Sequence, residues 1–180
     1  PSRGRRQRQM CIRDSPLGLK VGPSTTIDDL KKNIEILNPE NEGGRLTLIV
    51  RMGADKINSK YPDLLKEINK LGLNLTWICD PMHGNTSTSK SGYKTRATEN
   101  IFKEIQSFFE IHKSEGSVAG GVHLELTGLD VTECVGGPDD IKDENLGDRY
   151  HTFCDPRLNV NQSLELSFLL ADLLSNGEMN

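Results

Sequence analysis

Long apolar runs are missing from this 180-residue chain: no stretch approaches the roughly 18 to 20 residues that a membrane-spanning helix needs, which excludes such a span. Cysteine is scarce. The four cysteines, Cys11, Cys79, Cys134 and Cys154, show no C-x-x-C spacing. That argues against a disulfide framework or a zinc knuckle, and for reduced thiols in a cytosol-like compartment that serve as small buried packing residues. Neither sign of charge prevails, since 22 basic against 26 acidic side chains leave a net charge of −4. This balance gives no reason to expect nucleic acid or a membrane surface as the partner. A glycine-rich dinucleotide fingerprint is absent as well: Gly120-Gly121 precedes a strand rather than opening a helix, and Gly136-Gly137 has no third partner. The first residues, PSRGRRQRQMCIRD, are basic but lack the hydrophobic stretch of a secretory signal. An arginine-rich nucleic-acid arm or a transit peptide would fit that composition; residues 1–15 are read here as a non-native leader, with the fold beginning at residue 16.

What the chain does contain is a hydrophobic share of 34% and a charged share of 27%, the make-up of a soluble globular domain. From Pro16 onward, short runs rich in Leu, Val and Ile alternate with segments of helical period, the signature of a parallel sheet with crossover helices. Strands are expected over LGLKVG (17–22), RLTLIVRMG (45–53), LNLTWICD (73–80), GVHLELTG (121–128) and HTFCDP (151–156). Thr26-Ile27-Asp28-Asp29 fits a capping box, opening a helix with Leu30, Ile34 and Leu37 on one face before Asn38-Pro39 stops it. Further stripes run through Tyr61, Leu64, Leu65, Ile68 and Leu71, and through Ile101, Ile105, Phe108 and Phe109. A last one, from about residue 161 to 174, carries Leu164, Phe168, Leu169, Ala171 and Leu173. All four are expected to face the core, as is Trp77.

One charged or imidazole side chain stands near the end of every expected strand: Lys20, Arg51, His83, Glu125 and Asp155. The spacing is about one βα unit each time. In a (β/α)8 barrel the C-terminal strand ends converge on one mouth, so these five would surround a common site, whereas an open doubly wound sheet would spread them along a line. Two cations could hold phosphate or carboxylate, and an imidazole with two carboxylates offers the donors of a divalent metal. The plainer account is that each forms ion pairs at a barrel rim. Lys94 and Arg96, which follow the loop NTSTSKSG where a helix begins, suit a substrate phosphate, against the alternative of solvated charges. His123 alternates with Glu125 and shares its face, as a core histidine or as a support to the ligands. Glu133 and Cys134 are read as loop structure.

The strings carrying these residues are VRMG (50–53), CDPMHGNT (79–86), GYKTR (92–96), GGVHLELTG (120–128), VTECVGG (131–137) and CDPRLN (154–159), followed by QSLELSFLLADLL. In order and spacing they resemble the class II (plant-type) 3-deoxy-D-arabino-heptulosonate 7-phosphate (DAHP) synthases over essentially Pro16 to Leu174. The resemblance implies the C-terminal half of a (β/α)8 barrel, with parallel strands alternating with helices, and a metal-dependent transferase. Such an enzyme condenses phosphoenolpyruvate with erythrose 4-phosphate at the entry to aromatic amino acid synthesis. It implies that His83, Glu125 and Asp155 are metal ligands, for manganese first and otherwise cobalt, iron or zinc. The fourth ligand, a cysteine, would lie upstream of this chain. It also gives Lys20 and Arg51 substrate-binding roles, which Lys94 joins on the position noted above, with Lys20, Arg51 and His83 catalytic. A cytoplasmic location (a plastid, were the source a plant or alga) and a homo-oligomeric parent enzyme belong to the same expectation. So does its alternative, a truncated metal- and anion-binding chain with no activity by itself.

Overall fold

The computed structural model describes residues 15–178. The leader read over residues 1–15 therefore lies, apart from Ser15, outside the described residues, as does Cys11. In chain order the elements are β1 (Leu17–Val21), α1 (Ile27–Leu37), β2 (Leu46–Val50), α2 (Ile57–Asn69), β3 (Thr76–Cys79), β4 (Thr86–Thr88), β5 (Lys94–Arg96), α3 (Thr98–Ser114), a 3-10 helix (Asp143–Asp148) and α4 (Val160–Glu178). Strands β1, β2 and β3 make a parallel sheet in that order, with β1 and β2 joined through α1 and β2 and β3 through α2. Leu46, Leu48 and Val50 are buried while Thr47 and Ile49 are only half so, as a pleated strand covered more fully on one face requires. The architecture is mixed α/β.

Register aligns the ends of the strands. Val21 is level with Val50, and Val50 with Cys79. The next amides continue the ladder, Arg51 N donating to Val21 O (2.8 Å) and Asp80 N to Val50 O (2.6 Å). The residues that leave the three strands thus emerge side by side at one edge.

Two expected strands are shorter than their sequences suggest. Over 121–128 the chain is extended but makes only single parallel bridges, Val122 with Cys79 and Leu126 with Leu158. Gly121, at φ +141°, bends the backbone at its start and shortens the ladder. Over 151–156 there is no strand: the Thr152 hydroxyl accepts from Cys154 N (3.1 Å) and donates to Asp155 O (2.9 Å). This local side-chain bonding replaces ladder pairing, which resumes only at Leu158. The loop NTSTSKSG is instead part of an antiparallel hairpin, β4 with β5, turned at Gly92.

Helix α1 begins where the sequence indicates, but Lys94 and Arg96 stand in β5 rather than at a helix start, and α3 opens only at Thr98. Thr26 caps α1, its hydroxyl accepting from Asp29 N (3.1 Å). Leu30 and Ile34 of α1, Tyr61, Leu64, Leu65 and Ile68 of α2, and Ile101, Ile105 and Phe108 of α3 are buried against the sheet. Each aliphatic side chain of this kind is worth roughly 1.5–3 kcal/mol on burial. Trp77 joins them, edge-on to Tyr61 at 5.7 Å. Leu71, expected on the α2 stripe, lies past the end of that helix and is 43% exposed, and the stripe expected on α4 needs correction too. Leu166 is the apolar residue it buries among the described residues, with Leu169, Leu170 and Leu173 packed against the core, while Leu164 and Phe168 are 53% and 71% exposed. The helix is apolar on most of its circumference, so two stripes of helical period compete and the periodicity does not choose between them.

Candidate metal and anion site

The aligned strand ends place Lys20 on β1, Arg51 just after β2 and Asp80 just after β3. Asp80 is fully buried and organises what surrounds it. Its carboxylate pairs with the Lys20 ammonium and accepts from the amides of Met82 (3.1 Å) and His83 (3.2 Å). His83 Nδ1 lies 2.8 Å from Asp80 Oδ2 and 3.0 Å from Oδ1. Burial opposes ionisation of Asp80, but the bonds from Lys20 and His83 outweigh it and hold the carboxyl below the ordinary range.

Those contacts decide what the other side of the imidazole can do. Only carboxylate oxygens face Nδ1, so that nitrogen donates to Asp80, and Nε2 is the ring atom turned toward the rest of the cluster. Nε2 lies 3.6 Å from Glu125 Oε1 and 3.7 Å from Asp155 Oδ2. The three atoms lie within 4.8 Å of one another, an arrangement that could hold a metal ion. Three electron-rich atoms so close repel unless a cation stands among them, and an imidazole backed by a carboxylate is the usual way a metal-binding histidine is oriented. One nitrogen and two oxygens fit a divalent first-row metal.

Cations surround the cluster. Lys94, at the start of β5, reaches Asp155 Oδ1 at 2.6 Å and holds that carboxyl below its usual range. Arg96, at the end of the same strand, is wholly buried: its Nη1 donates to Glu125 and to the carbonyl of Pro156, and its Nε donates to the Thr86 hydroxyl (2.9 Å). Its Nη2 comes no closer than 4.0 Å to Asp155 Oδ2. This Nη2 and Arg51 Nε are buried without a hydrogen-bond partner among the described residues. An orphaned guanidinium N–H costs free energy, and an anionic acceptor is the group that would satisfy it. Lys20, His83, Lys94, Glu125 and Asp155 therefore lie in one continuous chain of contacts. Arg51 adjoins them by strand register.

The comparisons with known proteins bear on this geometry. The model of the Class-II DAHP synthetase family matches residues 10–171. The chain belongs to that family. A Streptomyces coelicolor protein named phospho-2-dehydro-3-deoxyheptonate aldolase is 55% identical over 159 residues, covering 88% of this chain and 35% of that protein. A Mycolicibacterium smegmatis protein, phospho-2-dehydro-3-deoxyheptonate aldolase AroG, is 50% identical over 160 residues, covering 89% of this chain and 34% of that protein. The chain thus spans about a third of the length of these bacterial relatives. No helix among the described residues is long and apolar enough to cross a membrane.

Several residues that shape this candidate site escaped the sequence reading. Asp80 lies inside CDPMHGNT but was not singled out; an acidic residue closing a buried strand was the available signal. Glu133, read as loop structure, is a buried loop residue with a task. It accepts from Arg157 Nε (2.9 Å), Nη2 (2.7 Å) and N (2.8 Å) and from His151 N (3.2 Å), fastening both sides of the Asp155 loop. Burial works against it, yet Arg157 keeps its carboxyl below the ordinary range. Arg96 is neither a solvated charge nor a free phosphate ligand, since it braces Glu125. His123 is exposed, so the core-histidine alternative does not hold. Cys79 and Cys134 are buried as expected, whereas Cys154 is exposed: it stands in the Thr152–Asp155 turn, outside any packed element.

Proposed function

We propose that this chain is the C-terminal half of a (β/α)8 barrel from a DAHP synthase, which condenses phosphoenolpyruvate with erythrose 4-phosphate to give DAHP and phosphate. The observation that carries the reading is the convergence of His83 Nε2, Glu125 and Asp155 beside buried guanidinium groups with unsatisfied N–H donors. In this reading His83, Glu125 and Asp155 hold a divalent ion, manganese by preference over cobalt, iron or zinc. When bound, that ion supplies Lewis acidity toward the aldehyde oxygen of erythrose 4-phosphate.

The chain's own residues supply binding and orientation. Asp80 orients the His83 ring through Nδ1 so that Nε2 is the atom turned toward the ion. Arg96 holds Glu125 and the backbone beside Asp155, fixing both carboxylates without occupying the site. Lys20 and Arg51 take the carboxylate and phosphate of phosphoenolpyruvate, with the guanidinium fork suited to bidentate contact. Lys94, paired with Asp155 in this structure, is the residue that would meet a substrate phosphate. Holding two anionic substrates together against their repulsion is a large part of the catalytic task.

A chain with about a third of its relatives' length carries three of the donors and part of the cation set. The complete protein is therefore the active unit, and this segment alone is a metal- and anion-binding piece without turnover. A bacterial cytoplasmic location and a homo-oligomeric parent complete the proposal. The test is phosphate release from phosphoenolpyruvate and erythrose 4-phosphate by the full-length protein with and without added manganese. Metal-dependent turnover that His83→Ala and Glu125→Ala each reduce by about a hundredfold or more is expected. Full activity in either variant would remove the ligand assignment.

A further inference from the structure

Glu104 lies on the buried stripe of α3, three residues after Ile101 and four before Phe108, where the helical period calls for an apolar side chain. It is wholly buried, and the three hydrogen bonds it accepts come from uncharged N–H donors. Burying a carboxylate on such terms is costly, and desolvation pushes its carboxyl up to about 7 against those bonds. A leucine here would stabilise the helix more simply. The reason for the acid has to lie in what it bonds.

Glu104 Oε1 accepts from Met52 N (2.8 Å) and Gly53 N (2.9 Å), the two amides that follow Arg51. Its Oε2 accepts from Asn85 Nδ2 (2.7 Å), two residues after His83. Asn85 is locked in turn, its Nδ2 also donating to Pro81 O (2.8 Å) and its Oδ1 accepting from Ala54 N (2.9 Å). The same two turns touch backbone to backbone, for a Cβ on Gly84 would stand 2.5 Å from Gly53 N. The carboxylate belongs to neither turn. It ties the Arg51 turn to the His83 turn from beneath, without itself being a ligand or a substrate contact.

We propose that Glu104 is a positioning residue that sets the phosphoenolpyruvate cation Arg51 in register with the metal-binding His83; this rests on the function proposed above. Glu104→Gln keeps the shape and one carbonyl oxygen but turns an N–H donor toward Asn85 Nδ2, so the tie between the turns opens. In the full-length enzyme the expected result is a rise of about tenfold in KM for phosphoenolpyruvate and a fall in kcat, with KM for erythrose 4-phosphate within about twofold of wild type. Ile101→Val, one turn away on the same buried face, is the control for lost stability alone and leaves both KM values in place. Should Glu104→Gln fail to fold, Asn85→Ala opens the same tie from its other end and is expected to show the same split between the two substrates. An unchanged KM for phosphoenolpyruvate in the folded variant, or an equal rise in Ile101→Val, would overturn the positioning role. A wild-type enzyme inactive with both substrates would overturn the proposed function instead, so the two failures are separable.

Discussion

At the scale of single residues, the chain uses buried polar groups in two distinct ways. Around the site, Asp80, Arg96 and Glu133 are buried so that other side chains are held in place, and Asp80 and Glu133 are satisfied by their neighbours while Arg96 keeps one N–H group without a partner among the described residues. Under the helices, His112 is buried as a neutral group: its Nε2 meets the Tyr61 hydroxyl at 2.7 Å and its ring packs against Phe108 at 4.5 Å. Burial pushes its pKa down from 6.5 to about 4. The unfolded chain takes up a proton near 6.5 while the native state resists until about 4, so stability falls as pH drops through that window, by roughly 3 kcal/mol at most at about 1.4 kcal/mol per unit. Glu104, with its carboxyl raised to about 7, acts in the opposite sense and gains native stability as pH falls from 7 toward 4.5. The measurement is therefore a comparison: urea unfolding of wild type and His112→Asn at pH 7 and pH 4.5, with the wild type losing more on acidification. Equal losses would exclude His112 as the group responsible.

At the scale of elements, the site depends on turns more than on strands. Gly53, at φ +84°, opens α2, and Gly84 passes against it with no room for a methyl group. Gly84→Ala would press a Cβ on Gly53 N, Gly53 Cα and the Met52 carbonyl carbon, at 2.5, 3.0 and 3.2 Å. These are backbone atoms that cannot rotate away, so a loss of about 1–3 kcal/mol is expected in thermal or urea unfolding, together with weaker metal binding. Cobalt absorption at the His83 site would report the second effect, and an unchanged spectrum and affinity would mean that the turn tolerates the shift. Thr26→Ala removes the cap of α1, where the hydroxyl bonds Asp29 of the same helix and no residue of the site, and should cost about 1 kcal/mol with no effect on substrate or metal binding. That variant separates general destabilisation from damage to the site.

At the scale of the whole molecule, the apolar surface that remains exposed is concentrated late in the chain: Leu126, Leu129, Phe153, Leu164 and Phe168. Parallel sheets in natural proteins are covered on both faces and protected at their edges. The 180-residue chain by itself is expected to associate on gel filtration and to show no synthase turnover, while the full-length protein is active. Turnover by the isolated chain at a rate near that of the full-length protein would contradict the proposal that the remaining ligands lie outside it.

Much of this was legible in the residues themselves. Period and capping located the four helices and three strands, because local hydrogen bonding and a one-sided apolar stripe act over a few neighbouring residues. The regular placing of Lys20, Arg51 and His83 followed the βα repeat of β1 to β3, whereas Glu125 and Asp155 come near His83 from segments that are not full strands. The sequence could not decide which face α4 buries, since Leu164 and Leu166 are equally apolar and only packing distinguishes them. Nor could it reveal that Glu104 joins two turns 51 or 52 residues and 19 residues away, or that Arg96 braces Glu125 from 29 residues away. Those partners meet only when the chain has folded. Sequence alone determined which groups were available; tertiary structure decided which of them touch, because the pairing of a buried charge depends on distances in space that no local pattern encodes.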